Sequence, residues 1–325
     1  MQGNQVSDQD TIKTITPLAP SHQQTPPKMS KPGEKSANLV ELGRRLLEDG
    51  PVKTLHTPRR VRILFNGEWV ADTTSAILVW EHPYYPYYYV PRRDFAEGCL
   101  SPLLPSGGVT PAGFEILQLK VRGRTTNRVL GFTTGQEASR EGNNDNEWIV
   151  KQGEDGKEVL CDAVRVEFGA ADAWFEEDMP IIVHPKDPFR RVDVVHATTR
   201  SVGVFVGGVE VARAASSYHL YETGLPRRFY LPPTSIADWT LLRASETRTM
   251  CPYKGEAEYY DVVLPVEKKK GGGEEKEVVY KDLVWFYRTP TIECAMIAGC
   301  LCFYNEKVDI ELDGKLLARP KTHFV

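Results

Sequence analysis

The run Thr-Met-Cys-Pro-Tyr-Lys-Gly at 249–255 gathers several chemically useful side chains in seven positions. Cys251 stands three residues before Lys254, with Pro252 and Tyr253 between them and Gly255 straight after. Proline has no N–H to give to a strand ladder and glycine accepts a positive φ, so the backbone is expected to turn here. In an extended chain Cys251 and Tyr253 would share a face and Lys254 would oppose them; in a turn all three converge. A thiol beside Lys254 and Arg248 would have its thiolate favoured, which suits a nucleophile. A desolvated Lys254 would instead suit a base or an imine former. The plain alternative is structural, with a packed cysteine, a half-buried tyrosine and a surface lysine. On the ligand reading, Lys254→Ala removes binding and leaves the melting temperature nearly unchanged.

Glu222 is the acidic partner that this run calls for. Glu81 and Glu222 each follow an aromatic residue at the end of an apolar segment. A carboxylate buried in such a place needs a partner. Arg227, Arg228, Arg248 and Lys254 are available to Glu222, either to line a polar pocket or to form rim ion pairs of small worth. The expected cleft therefore combines Tyr221, Arg227, Tyr230, Arg248 and Tyr253 as ligand contacts with Cys251, Lys254 and Glu222 as the reactive group. Aromatics would give area, and charges would orient a polar or anionic small molecule. The same pocket as an enzyme site is the alternative, with Cys251 or Lys254 as nucleophile or base and Glu222 as proton partner. A protein-interaction scaffold with docking sheet edges is a third reading.

Two other stretches draw attention. "WEHPYYPYYYVP" at 80–91 is dense in rings, which either stack on a planar ligand or fill strands and turns. "EEDMPIIVHPKDPFRRVDVV" from Glu176 carries Asp178, His184, Asp187 and Asp193, but its prolines fit an extended linker better than a metal site. Neither a cofactor nor a metal is expected. There is no Walker A loop, no G-x-S-x-G elbow and no G-x-G-x-x-G after a strand.

These residues must be held by something, and the sequence points to strands. "RRVRILFNGEWVADTTSAILVW" from Arg59 alternates and carries an Asn66-Gly67 turn. Shifted by 141 residues it lies on "RSVGVFVGGVEVARAASSYHLY" without a gap, so that Gly67 falls on Gly208, Ala71 on Ala212 and Glu81 on Glu222. "YYVP" at 88–91 then falls on "FYLP" at 229–232. This is read as an internal duplication. Further on, the expected match pairs Phe168 with Phe303 and Asp172 with Asp309, with a small gap. The expected fold is mainly β: two tandem copies of a small antiparallel sandwich or half-open barrel. Residues 1–36 read as a disordered tail, rich in Pro, Gln, Ser and Thr. Residues 37–56 read as a short helix and linker, with Leu39, Leu42 and Leu46 at helical spacing, Ser36 as N-cap and Gly50 as stop. The first copy is set at 57–190 and the second, carrying the Cys-Pro-Tyr-Lys-Gly segment, at 191–318. Polar insertions are expected at 135–147 in the first copy and at 267–277 in the second.

"RVRILFNGEWVADT", "AWFEEDMPIIVHPKDPFRRVDVV", "YETGLPRRFYLP", "TRTMCPYKGEAEYY" and "IAGCLCFYNEKVDI", in this order, resemble the domain of unknown function 427 family in its tandem form. The resemblance implies a small, mostly β protein with no agreed activity. A nucleotidyltransferase label is sometimes attached to the family. The Gly-Ser turn followed by Asp-x-Asp that such enzymes use to hold Mg²⁺ is not arranged that way here. The first copy also lacks a Cys-Pro-Tyr-Lys-Gly segment, so one such site is expected, in the second.

Composition narrows the partners. The chain has 325 residues, 41% of them hydrophobic and 26% charged, with a net charge of −4. That argues against general nucleic-acid binding, which needs a basic face. No apolar run approaches the roughly 20 residues of a membrane helix. The first residues do not read as a secretory signal. Six cysteines without a C-x-x-C pair read as reduced core thiols, Cys300 and Cys302 sharing one face of a strand. A cytoplasmic protein, with nuclear access open, is expected. Its oligomeric state is not readable.

Overall fold

The computed structural model describes residues 37–103, 113–133, 150–152, 158–265 and 277–322. The tail at 1–36, the excursion at 135–147 and all but the last residue of the 267–277 insertion lie outside the described residues.

Helix α1 (Leu39–Glu48) opens the described chain. Its N-cap is Asn38, whose side chain accepts from the Glu41 N–H, rather than the expected Ser36. Gly50 follows its C-terminus at φ +74, in the left-handed conformation that ends many helices. Gly43 lowers helix propensity but has a packing reason. A Cβ there would lie 2.5 Å from the Phe114 ring, so only glycine lets the helix approach the sheet.

The first group of strands is β1 (Lys53–His56), β2 (Val61–Phe65), β3 (Glu68–Thr73), β4 (Ile77–Trp80), β5 (Tyr87–Pro91), β6 (Leu100–Pro102), β7 (Phe114–Val121), β8 (Arg124–Phe132), β9 (Val150–Gln152), β10 (Glu158–Leu160), β11 (Ala163–Val166), β12 (Ala173–Glu176) and β13 (Met179–Pro180). The second is β14 (Val192–Ala197), β15 (Val202–Val206), β16 (Val209–Ala214), β17 (Ser217–Glu222), β18 (Arg228–Leu231), β19 (Leu242–Cys251), β20 (Gly255–Pro265), β21 (Glu277–Tyr287), β22 (Leu301–Phe303), β23 (Asp309–Leu312) and β24 (Lys315–Leu316).

Each group is one seven-stranded antiparallel sheet and one four-stranded sheet. The orders are β1-β4-β5-β11-β8-β7-β6 with β13-β12-β2-β3, and β14-β17-β18-β22-β21-β20-β19 with β16-β15-β23-β24. The two orders correspond strand for strand; β9 and β10 form a two-stranded ribbon in the first group, with no counterpart among the described residues of the second. The 141-residue shift survives in backbone detail. The β2–β3 register slips at Ile63/Leu64 and the β15–β16 register at Val204/Phe205. The isolated bridge Ala71–Phe95 recurs as Ala212–Ile236. Asn66-Gly67 turns with both φ positive, as hairpin turns of this hand require, and Gly207-Gly208 repeats it.

Strand pairing corrects the expected match of the later segments. Val164 pairs with Val90 as Leu301 pairs with Leu231, so Val166, not Phe168, stands where Phe303 stands. Ala173 pairs with Leu64 as Asp309 pairs with Phe205, so Asp172 is displaced by one residue. Lys53–His56, expected to be linker, is the edge strand of the first seven-stranded sheet.

Apolar alternation fills the space between the two sheets of each group. In β2, Val61, Ile63 and Phe65 point inward; in β15, Val202, Val204 and Val206 do the same. The outer face of each seven-stranded sheet has its own cover. In the first group α1 packs there, on Tyr89, Phe114 and Phe132. In the second, the 3₁₀ segment Ile292–Ile297 contributes Cys294 and Ile297 to a layer with Tyr230, Trp285, Tyr287, Cys300 and Cys302. Cys300 and Cys302 thus share one face, as their spacing implies. No helix among the described residues is long and apolar enough to cross a membrane.

Candidate functional site

The Cys-Pro-Tyr-Lys-Gly run is the tip of the β19–β20 hairpin. Cys251 pairs with Gly255, leaving Pro252, Tyr253 and Lys254 as a three-residue turn. Gly255 sits at φ +99, and a Cβ there would lie 3.3 Å from the Thr289 carbonyl oxygen, so conformation and space both favour glycine. A second segment pins the turn from behind. The Thr291 N–H donates to Lys254 O at 3.1 Å, and the Thr291 hydroxyl to Tyr253 O at 2.6 Å. The Cys294 thiol points at the same Tyr253 carbonyl, at 3.6 Å.

This fixed turn aims Lys254 at the end of β17. Its Nζ donates to Glu222 Oε2 at 2.5 Å, and the two side chains are only 12% and 4% exposed. The other carboxylate oxygen, Oε1, accepts from Arg190 at 2.9 Å. One buried carboxylate therefore holds two cations. Burial pushes the Lys254 ammonium down, but Cys251 and Glu222 beside it more than offset this, and its pKa ends above the ordinary lysine value. Lys254 is thus a charge donor at neutral pH, not a free amine. Cys251 is half-buried and within electrostatic reach of that ammonium, whereas the other five cysteines are buried.

Tyr253 faces the segment between the two sheet groups. Its Oη accepts from the Asp187 N–H at 2.7 Å, and the Arg190 guanidinium lies 5.5 Å from its ring. Burial pushes the Tyr253 phenol up to about 12, so it stays neutral. The same segment grips the first group. Asp187 accepts from Trp80 Nε1 at 3.2 Å, and Tyr85 stacks on His184 at 4.0 Å. The aromatics of 80–91 therefore fill strands and clasp the connecting segment. Between that segment and β1 lies a cleft of about 450 Å³, whose lining includes the apolar Leu55, Leu78 and Val192, the cations Arg59, Lys186 and Arg190, the acids Asp187 and Glu293, and Tyr253.

The structure brings Glu222, Cys251, Tyr253 and Lys254 together, with Tyr230 buried beneath, accepting from Trp285 Nε1 at 3.1 Å. Three expected members lie elsewhere. Tyr221 is exposed, next to Glu222 on a strand whose side chains alternate. Arg227 lies over the Phe229 ring at 4.6 Å, on the side of His219. Arg248 pairs with Glu258 at 3.2 Å on the exposed hairpin surface. The sequence reading missed Arg190, Lys186 and Asp187, which it took as linker. Arg190 reaches Glu222 because β14 pairs Val192 with Glu222, a contact across 30 residues that no local pattern announces.

The first group treats its equivalent carboxylate differently. Glu81 accepts from the Tyr89 hydroxyl at 3.0 Å and from Nε and NH2 of Arg165. Arg165 is an internal residue of β11, and Cys302 holds its place in the second group. One Glu and one Arg balance there. In the second group the cation comes from a hairpin tip, and a further one comes from the connecting segment.

A family model described as a domain of unknown function (DUF427) matches residues 53–109 and 194–314 of this chain. No curated protein matches it.

Proposed function

The chain belongs to the DUF427 family, and we propose that it binds a small polar or anionic molecule in the cleft beside Tyr253 and Arg190. The observation that carries this reading is the charge balance at Glu222. Two cations share one buried carboxylate, and the one nearer the cleft, Arg190, lines it. Within the Glu222–Lys254–Arg190 group one positive charge is in excess, and a partly desolvated charge attracts an anion more strongly than a hydrated one does. Tyr253 adds an aromatic wall, and the neighbouring apolar side chains add area.

A second reading has a specific observation behind it. Cys251 is the most accessible cysteine of the six and lies beside Lys254, an arrangement that suits a cysteine nucleophile with Glu222 holding the lysine in place. Lys254 as a base or imine former fits less well, since its proton is held more tightly than in water.

The same proposal takes residues 57–190, extended by the edge strand Lys53–His56, and residues 191–318 as two tandem copies, supported by the shared strand order, and the second as the one that binds. Six free thiols fit a reducing compartment such as the cytoplasm.

Paired native and denaturing mass spectrometry of freshly purified protein tests both readings. A mass present in native spectra and lost on denaturation supports binding. An adduct that survives denaturation and maps to Cys251 moves the enzyme reading to first place. A bare chain in both conditions, with no shift on adding a panel of small anions, removes the binding reading.

A further inference from the structure

Resting on that reading, we propose that the cleft receives a monocarboxylate with an apolar body, and that Arg190 takes the carboxylate while Lys254 keeps Glu222 paired. The argument starts from the internal comparison. The buried glutamate of the first group is satisfied by a single guanidinium, Arg165, with a tyrosine hydroxyl. Its twin, Glu222, has Lys254 on one oxygen and Arg190 on the other. Lys254 alone repeats the one-to-one balance of the twin, so Arg190 is the surplus cation.

Position separates the two cations as well. Lys254 belongs to a turn tied down by Thr291 and is not part of the cleft wall. Arg190 belongs to the connecting segment and lines the cleft. Its NH1 goes to Glu222, and its NH2 makes only a long contact, 3.4 Å, to the Tyr84 carbonyl. A guanidinium held this way can offer two parallel N–H groups to a planar carboxylate without leaving Glu222 uncompensated. The other cations of the cleft are committed. Lys186 pairs with Glu293 at 3.2 Å and Arg59 pairs with Glu176. The Asp187 carboxylate is occupied by Trp80 Nε1 and the Phe189 N–H.

Arg190 offers one guanidinium edge, while the Asp187 carboxylate that lines the same cleft keeps its own negative charge, its partners being the neutral Trp80 Nε1 and Phe189 N–H, so the cleft suits a ligand with a single negative charge. A phosphate dianion would need more donors than Arg190 supplies. The body of the ligand is set by the apolar lining, where the side chains of Leu55, Leu78 and Val192 offer no hydrogen bonds and reward apolar area.

The test is isothermal titration of the full chain with octanoate, octanol and inorganic phosphate. Octanoate is expected to bind, and octanol about tenfold or more weaker, because it lacks the charge. Arg190→Gln should weaken octanoate by about tenfold or more, and Arg190→Lys should restore part of it. Arg190→Lys, which keeps a cation on Glu222 but loses the two-pronged edge, serves in place of Arg190→Gln if that variant fails to fold, and should bind octanoate more weakly than the wild type. Unchanged octanoate affinity in a folded Arg190→Gln, or phosphate binding where octanoate does not, overturns the carboxylate assignment and leaves the broader anion reading standing. No binding of octanoate or phosphate overturns the assignment too, and the mass-spectrometric experiment then decides the broader reading separately.

Discussion

Replacing Lys254 by Met removes a buried charge while keeping most of the side chain's volume. The sequence alone suggested that losing this lysine would leave the melting temperature nearly unchanged; its burial against Glu222 reverses that expectation. Breaking a buried ion pair by removing one partner costs about 3–5 kcal/mol when the remaining charge is stranded. Glu222 is not fully stranded, because Arg190 stays 2.9 Å from its other oxygen. The expected loss is therefore lower, about 2 kcal/mol. The first group provides the control. In Arg165→Met, Glu81 keeps only the Tyr89 hydroxyl among its described partners, so the full penalty of about 3–5 kcal/mol applies. Urea unfolding followed by tryptophan fluorescence reads both, with Trp285 in the second core and Trp80 in the first. Adding Glu222→Gln to Lys254→Met should recover about 1 kcal/mol, the signature of a coupled pair. The effect has a pH sign. Lys254 is raised in the folded state, so its contribution is complete below its ordinary value of 10.5 and is lost as pH rises through the folded value. A Lys254→Met loss below about 0.5 kcal/mol would refute the ion pair, since that is the ordinary scatter of surface changes. A loss equal to that of Arg165→Met would refute the sharing with Arg190.

Iodoacetamide at neutral pH is expected to label Cys251 ahead of the other five cysteines, because it alone is not fully buried; peptide mapping that finds equal or slower labelling would remove the nucleophile reading. His219 predicts acid sensitivity. Burial first, then the Arg227 and Arg200 charges, push its imidazole down to about 4 from 6.5. The unfolded chain therefore binds a proton between those values that the folded chain refuses, so stability falls as pH drops from 6.5 to 4. Leu78 occupies the equivalent place in the first group, and His219→Leu should remove this histidine's share of the slope, making it shallower than in the wild type. An unchanged slope between these pH values sinks the argument. Ser217 and His219 also have a buried hydroxyl and Nε2 without a partner among the described residues, where the first group has Ala76 and Leu78. Ser217→Ala should accordingly be neutral or stabilising in the same unfolding assay.

Much of the fold was legible because its signals are local. Alternation in Val61–Phe65 and Val202–Val206, the Asn66-Gly67 turn and the leucine stripe of α1 each lie within a few residues. The register between the copies was legible as far as the chain kept its spacing, to Pro91 and Pro232, and failed beyond, where insertions of different length intervene. At the site, the sequence supplied Glu222, Cys251, Tyr253 and Lys254 because a turn and a buried carboxylate both have recognisable chemistry. It also grouped Tyr221, Arg227 and Arg248 with them by closeness along the chain, and the structure places these apart from that cluster: Tyr221 on the opposite face of its strand, Arg227 over the Phe229 ring and Arg248 on Glu258.

The sequence by itself therefore determined the elements, the match between their two successions and which glutamates would need partners. The tertiary structure alone decided who those partners are. Glu81 receives Arg165 from across 84 residues, and Glu222 receives Lys254 from a hairpin tip 32 residues ahead and Arg190 from 32 residues behind. Pattern reading is limited to neighbours along the chain, whereas electrostatic pairing depends on distance in space. Cys302 in place of Arg165 shows the consequence. Where β11 carries Arg165 the carboxylate is satisfied by that strand, and where β22 carries Cys302 it is met by a hairpin tip of its own sheet and by the segment that joins the two groups.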